Sequence, residues 1–170
     1  CRILHRPGVN EELAVSVAWG SQMGRVVPYA DIDGVAGVWY GKTPGLDRSG
    51  DALRHANALG SGPNGGFVLF CGDDPTAKSS TFACDCQYTF EDLCIPVLYP
   101  GSQQEVIDLG IHAFRLSRFA GPLVGLKVVT PVADGVGTID LAPIRHPPSM
   151  QPEVIVDGNP WRHEPLSAIG

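Results

Sequence analysis

The chain is predicted to be an α/β protein, a three-layer sandwich built on a mostly parallel sheet. Three observations lead there. Short apolar runs alternate with amphipathic stretches from Glu11 to Thr130. Most of those runs are too short for helices and read as buried strands. Each is followed by a glycine- or proline-bearing turn, at Gly41, Gly72-Asp73-Asp74-Pro75 and Pro100-Gly101. An order of strand, helix, strand implies parallel strands joined by right-handed crossovers.

Residues 11–24 (EELAVSVAWGSQMG) read as the first helix. Asn10 suits its N-cap, and Glu11 and Glu12 lie in the first turn, where the helix dipole favours negative charge. Leu13, Ala14, Val17 and Ala18 form one apolar face, which Val15 and Trp19 extend around the helix, so it should be largely buried. Gly24 ends it. Val35–Tyr40 reads as a strand, Gly41–Gly50 as a glycine-punctuated loop, and Asp51–Leu59 as a helix stopped by Gly60. Gly65–Cys71 is the next strand. Glu91–Leu98 holds a helix end and then the strand Ile95-Pro96-Val97-Leu98, with its proline near the start. Ser102–Phe119 is a helix capped by Ser102, with Val106, Leu109, Ala113 and Leu116 at helical spacing. Leu123–Thr130 is the last core strand.

From about Pro131 the character changes. Residues 143–165 carry six prolines, two histidines and two arginines, with Val154–Val156 as the one apolar run. The expected organisation is a domain over residues 1–130 and a Pro-rich extended arm or edge hairpin over 131–170.

At 170 residues, 44% of them hydrophobic, the chain can bury one ordinary core. Its net charge of −6 argues against nucleic acid as a partner. No apolar run is long enough to span a membrane. A first residue that is Cys1, not Met, with no signal peptide pattern, suggests a partial chain, an excised domain or a processed product. The odd count of five cysteines suits free thiols in a reducing cytoplasm. Cys84, Cys86 and Cys94 could instead form a metal or cluster site, although their spacing matches neither a zinc ribbon nor a ferredoxin run.

Several residues could carry chemistry. Glu11 puts a carboxylate at the mouth of a buried helix, where partial desolvation raises its pKa and the helix dipole lowers it. Such a group can share a proton with a ring nitrogen; its plainer role is a helix-capping acid. Within Gly41–Asp51, Gly45 lets the backbone approach a ligand, and Lys42 and Arg48 could neutralise a carboxylate or phosphate. That loop is neither GxGxxG nor GxxxxGK[ST], so no nucleotide site is indicated. Asp73 and Asp74 could chelate Mg²⁺, but an Asp-Pro pair more simply starts a turn. The five histidines are scattered, and no GxSxG signature for acyl transfer is present.

Four segments, NEELAVSVAWGSQ, GVAGVWYGKTPGLDRSGDALRHAN, GGFVLFCGDDPTAKSST and IPVLYPGSQQEVIDLG, resemble the pyrimidine-binding domain of indolepyruvate ferredoxin oxidoreductase. This family belongs to the thiamine-diphosphate-dependent 2-oxoacid:ferredoxin oxidoreductases. The resemblance runs from about Gly8 to Lys127 and implies the thiamine-diphosphate-binding fold in its pyrimidine-domain form. It also implies oxidative decarboxylation of an arylpyruvate to an acyl-CoA, with electrons passed to ferredoxin. In such enzymes a glutamate of the pyrimidine domain hydrogen-bonds a ring nitrogen of the cofactor and sets its tautomer. The family's Asn-Glu motif falls on Asn10-Glu11, so Glu11 takes that role by resemblance. Gly45 and Leu46 match the segment beside the cofactor, and Lys42 is the candidate for the substrate carboxylate.

The diphosphate-binding GDG…N signature, the cluster cysteines and the gamma-type domain of the fused enzyme are absent. The diphosphate, its Mg²⁺ and the iron–sulfur clusters would therefore be held by other domains or subunits. Coenzyme A and ferredoxin would be further partners, and the chain alone should be inactive. An apolar face left bare for a partner domain should make the isolated chain an oligomer. The competing expectation is a non-catalytic structural or binding module with the same fold.

Overall fold

A computed structural model describes residues 3–25, 34–62, 64–142 and 154–161. Four strands, β1 (Gly37–Lys42), β2 (Phe67–Asp73), β3 (Val97–Leu98) and β4 (Val124–Val129), form one sheet in the order β1-β2-β4-β3. All three pairings are parallel, with Trp39 opposite Leu69, Cys71 opposite Lys127, and Val97 opposite Gly125. Helices cover both faces, which makes the three-layer α/β sandwich that the alternation predicts.

Strand side chains alternate between the faces, and the two cores follow that parity. On one face Phe67, Leu69, Cys71 and Trp39 pack against α1 (Glu11–Gly20), α2 (Thr43–Arg48), α3 (Gly50–Leu59) and α4 (Cys86–Asp92) through Val15, Leu46, Leu53, Ala56 and Phe90. On the other, Val68, Val124 and Leu126 pack against α5 (Gln103–Ala120) through Ala113, Val106, Leu109 and Phe114. Gly125 is bare because a Cβ there would stand 2.9 Å from the Phe90 ring.

The caps explain where the helices begin. Asn10 Oδ1 accepts from the Leu13 N–H at 2.9 Å, Asp85 Oδ1 from Gln87 N–H at 2.9 Å, and Ser102 Oγ from Glu105 N–H at 3.3 Å. Gly121, at φ 92°, stops α5 in the left-handed conformation that glycine adopts freely. The first predicted helix divides into α1 and a 3-10 turn over Ser21–Arg25.

The expectation of an open loop over Gly41–Gly50 needs correction. Thr43–Arg48 is helical, and Leu46 is fully buried in the core. Pro44 suits the first turn of a helix, and burying Leu46 in the core with Val15 and Trp39 outweighs the poor helix propensity of Gly45. The α4 helix also begins earlier than the expected helix end at Glu91, because Asp85 caps it. A four-residue helix, α6 (Thr130–Ala133), follows β4.

Beyond it, β5 (Ile155–Val156) and β6 (Asn159–Pro160) make a two-stranded antiparallel hairpin. The Trp161 ring meets Phe119 of α5 at 5.2 Å between centroids. Much of the expected Pro-rich arm, residues 143–153 and 162–170, lies outside the described residues, as do Cys1, His146 and His163.

Candidate functional site

The carboxyl ends of β1, β2 and β4 form one rim, the place where parallel α/β sheets bind ligands. Two groups of residues meet there, on opposite faces of the sheet.

On the first face, Glu11 lies over Gly45. A Cβ on residue 45 would be 2.5 Å from Glu11 Cγ, so the missing side chain is the space the glutamate occupies. Trp39 secures the glutamate's backbone, its indole N–H donating to the Glu11 carbonyl at 3.2 Å. Gly41 in turn leaves room for that indole, since a Cβ there would stand 2.7 Å from the ring. The Glu11 carboxylate is half exposed and, among the described residues, has one cation within salt-bridge distance, Arg48, with Nε 4.0 Å from Oε2. Ser49 Oγ donates to the Gly45 carbonyl at 2.7 Å and closes the end of α2. The result is a half-exposed carboxylate held through its backbone and floored by glycine. Leu46 is fully buried, backbone included, and Gly45 is buried beneath the glutamate, so Glu11 is the exposed part of this wall.

Lys42 projects from the other face. By parity it sits opposite to Trp39, and it lines a cleft of about 270 Å³ with Gly72, Asp74, Ser79, Val128 and Thr130. Its Nζ is 3.3 Å from both the Ser79 carbonyl and Ser80 Oγ. Among the described residues no carboxylate lies within salt-bridge distance of it. Glu11, Gly45 and Leu46 are thus brought together, whereas Lys42 opens into a separate cleft on the same rim.

The paired aspartates have structural duties. Asp74 accepts the Lys78 and Ser79 backbone N–H groups at 2.8 and 2.7 Å and the Thr130 hydroxyl at 3.3 Å. The Ser79 N–H bond is the largest influence in lowering its pKa to about 2, helped by the Lys78 N–H and by the Ser80 and Thr130 hydroxyls. This is the turn-starting role that Asp-Pro suggests. Asp73, wholly buried, faces Lys127 Nζ at 3.2 Å. Lys127 also meets Asp85 Oδ1 at 2.7 Å, and its ammonium sits 4.9 Å from the Tyr99 ring centroid. Burial, the largest single influence, lowers the Lys127 pKa, but the hydrogen bond it donates to Asp85 and its ion pair with Asp73 push it up overall. The Lys127 hydrogen bond is likewise the first cause of a lowered Asp85 pKa.

Cys86 is fully buried, Cys84 is intermediate and Cys94 is exposed. Among the described residues no group of three His, Cys, Asp or Glu side chains converges as a metal site. No described helix is long and apolar enough to cross a membrane. Tyr99, beside Lys127, is 55% exposed, and Phe82 and Tyr88 are exposed as well.

Trp39, Gly41, Thr43 and the Asp73–Lys127 pair escaped the sequence reading. A signal existed for two of them. An aromatic on a strand with glycine two positions on puts bare backbone beside the ring on the same face. Lys127, a lone charge within the apolar run LVGLKVVT, was the visible mark of a buried partner.

Fold and rim together define a three-layer α/β domain with an acidic side chain near the carboxyl edge of a parallel sheet. Comparison with known proteins makes the assignment more particular. No family model matches the chain. The indolepyruvate oxidoreductase subunit IorA of Methanothermobacter thermautotrophicus is 29% identical over 160 residues, 94% of this chain and 24% of its own length. The subunit of the same name from Archaeoglobus fulgidus is 30% identical over 136 residues, 79% of this chain and 20% of its own. That of Pyrococcus abyssi is 35% identical over 89 residues, 52% of this chain and 13% of its own. The chain therefore spans about a quarter or less of the length of these relatives. Their shared name supports assigning it, as a partial chain, to the IorA family of indolepyruvate oxidoreductase subunits.

Proposed function

We propose that the chain is the pyrimidine-binding part of a thiamine-diphosphate-dependent oxidoreductase. The whole enzyme would oxidatively decarboxylate indolepyruvate or another arylpyruvate to an acyl-CoA, with ferredoxin as acceptor. Other domains or subunits would hold the diphosphate, its Mg²⁺ and the iron–sulfur clusters.

The observation that carries this reading is the Glu11 carboxylate lying over Gly45 at the carboxyl rim. The half-exposed Glu11 carboxylate, seated over the bare Gly45, suits a hydrogen bond to a ring nitrogen. Glu11, held through its backbone by Trp39, would accept or give a proton at a ring nitrogen. Gly45, by making room for the Glu11 side chain, and Leu46, by anchoring α2 in the core, would shape this wall from beneath. Arg48 Nε lies 4.0 Å from Glu11 Oε2 and flanks the carboxylate. Lys42 would meet the substrate carboxylate from the adjoining cleft, a role supported by its ammonium having no carboxylate partner among the described residues. When bound, thiamine diphosphate supplies the carbanion chemistry; the protein sets proton position and orientation.

The test is Glu11→Gln in the assembled enzyme, read as indolepyruvate-dependent ferredoxin reduction. A loss of about 10²–10⁴-fold is expected for removal of a positioned acid–base group. Wild-type turnover in that variant would leave the chain as a non-catalytic module of the same fold.

A further inference from the structure

The reading above makes no use of the buried Asp73 carboxylate at the end of β2. Asp73 Oδ1 accepts the Thr43 hydroxyl at 2.8 Å and the Cys86 backbone N–H at 3.3 Å. Oδ2 faces Lys127 Nζ at 3.2 Å. One carboxylate thus joins the first residue of α2, the first residue of α4 and strand β4. A buried ion pair contributes little net stability compared with well-packed apolar residues. Direction comes from Oδ1, which holds the Thr43 hydroxyl and the Cys86 N–H in hydrogen-bond geometry, whereas Oδ2 meets Lys127 as an ion pair without such a bond.

α2 depends on that direction. It is six residues long, and the Lys42 side chain at its N-cap position makes no capping hydrogen bond. Such a short helix has little stability of its own. Thr43 is 3% exposed, and its hydroxyl ties the first turn to the sheet. Gly45 follows two residues later in the same turn, so a shift at Thr43 is carried to the floor beneath Glu11.

We propose that Asp73 and Thr43 are positioning residues for Glu11, holding α2 so that Gly45 stays beneath the carboxylate. The proposal rests on the reading of Glu11 as the group that meets the cofactor ring. It deepens that reading by naming what sets the glutamate's place.

The test uses the assembled enzyme with Thr43→Val, Thr43→Ser, Asp73→Asn and Glu11→Gln. Thiamine diphosphate affinity is read by titration and turnover by ferredoxin reduction. Amide exchange across residues 43–49 is followed without cofactor. Valine keeps the shape of threonine and removes the hydroxyl. Thr43→Val should weaken cofactor affinity about tenfold, the size of one lost hydrogen bond to a charged group, and should speed exchange in α2. Thr43→Ser should recover wild-type affinity to within about twofold, because it restores that bond. Asp73→Asn should resemble Thr43→Val. If it fails to fold, the valine and serine pair still decides the matter.

Equal affinity and exchange in Thr43→Val and wild type would overturn the proposal. So would serine and valine variants equally impaired, or lost affinity with unchanged α2 exchange. An unaffected Glu11→Gln would instead defeat the cofactor reading itself. Loss in Glu11→Gln beside a wild-type Thr43→Val would leave that reading standing and remove only the positioning role.

Discussion

The side chain of Glu11 occupies the volume that a Cβ on Gly45 would need, with Cγ 2.5 Å from that position. The acid and the glycine come from separate helices, α1 and α2, and they form one wall. Gly45 is not held by an unusual backbone angle, since it is absent from the positive-φ glycines. Its lack of a side chain serves the glutamate and not the chain's own turn.

Gly45→Ala therefore separates stability from function. Alanine favours a helix over glycine by about 0.5–1 kcal/mol. The half-exposed Glu11 side chain can swing away to relieve the clash. The melting temperature should stay level or rise, while cofactor-dependent activity of the assembled enzyme falls at least tenfold. A variant that loses stability and keeps activity would contradict this.

Lys127→Met should destabilise the fold by about 3–5 kcal/mol, because it strands the wholly buried Asp73 charge. Adding Asp73→Asn should restore part of the loss, since the uncompensated charge disappears. Denaturant melts of the two single variants and the double variant measure the coupling directly.

Acid should spare the Asp74 turn for longer than an ordinary carboxylate would allow. Its folded pKa, about 2, is below the usual 3.8, so the charged form is preferred in the native state. The stabilising contribution is then fully present above the unfolded value and is lost as pH falls through about 2. Protection of the Lys78 and Ser79 amides should persist at pH 3 and vanish near pH 2. Loss of protection by pH 4 would count against the bonds described.

Alkylation should sort the thiols by burial. Among the described cysteines Cys94, which is exposed, should react first and Cys84 next. Cys71 and Cys86 should stay unmodified until unfolding, because both are fully buried. The Cys86 thiol is also pushed up, first by its hydrogen bond with Cys71 and then by burial, which disfavours the reactive thiolate. Peptide mapping after brief iodoacetamide treatment gives the order.

What the chain's own letters determine is local. The caps at Asn10 and Ser102, the helical spacing in α5 and the apolar runs of the strands depend on near neighbours, so they were legible. Sequence neighbours do not decide whether TPGLDR is a loop or a helix. Leu46 makes it a helix by burying against Val15 and Trp39, residues distant in the chain. The strand order β1-β2-β4-β3 is likewise a long-range outcome. Strand parity divides the candidate site, since Lys42 leaves β1 on the face opposite to Trp39 while Glu11 approaches on the side of α2. The glutamate and the glycine could each be picked out from residue type and position alone. Their meeting, and the buried aspartate beneath it, required packing across the whole sheet, because contacts between distant segments leave no periodic mark in the chain.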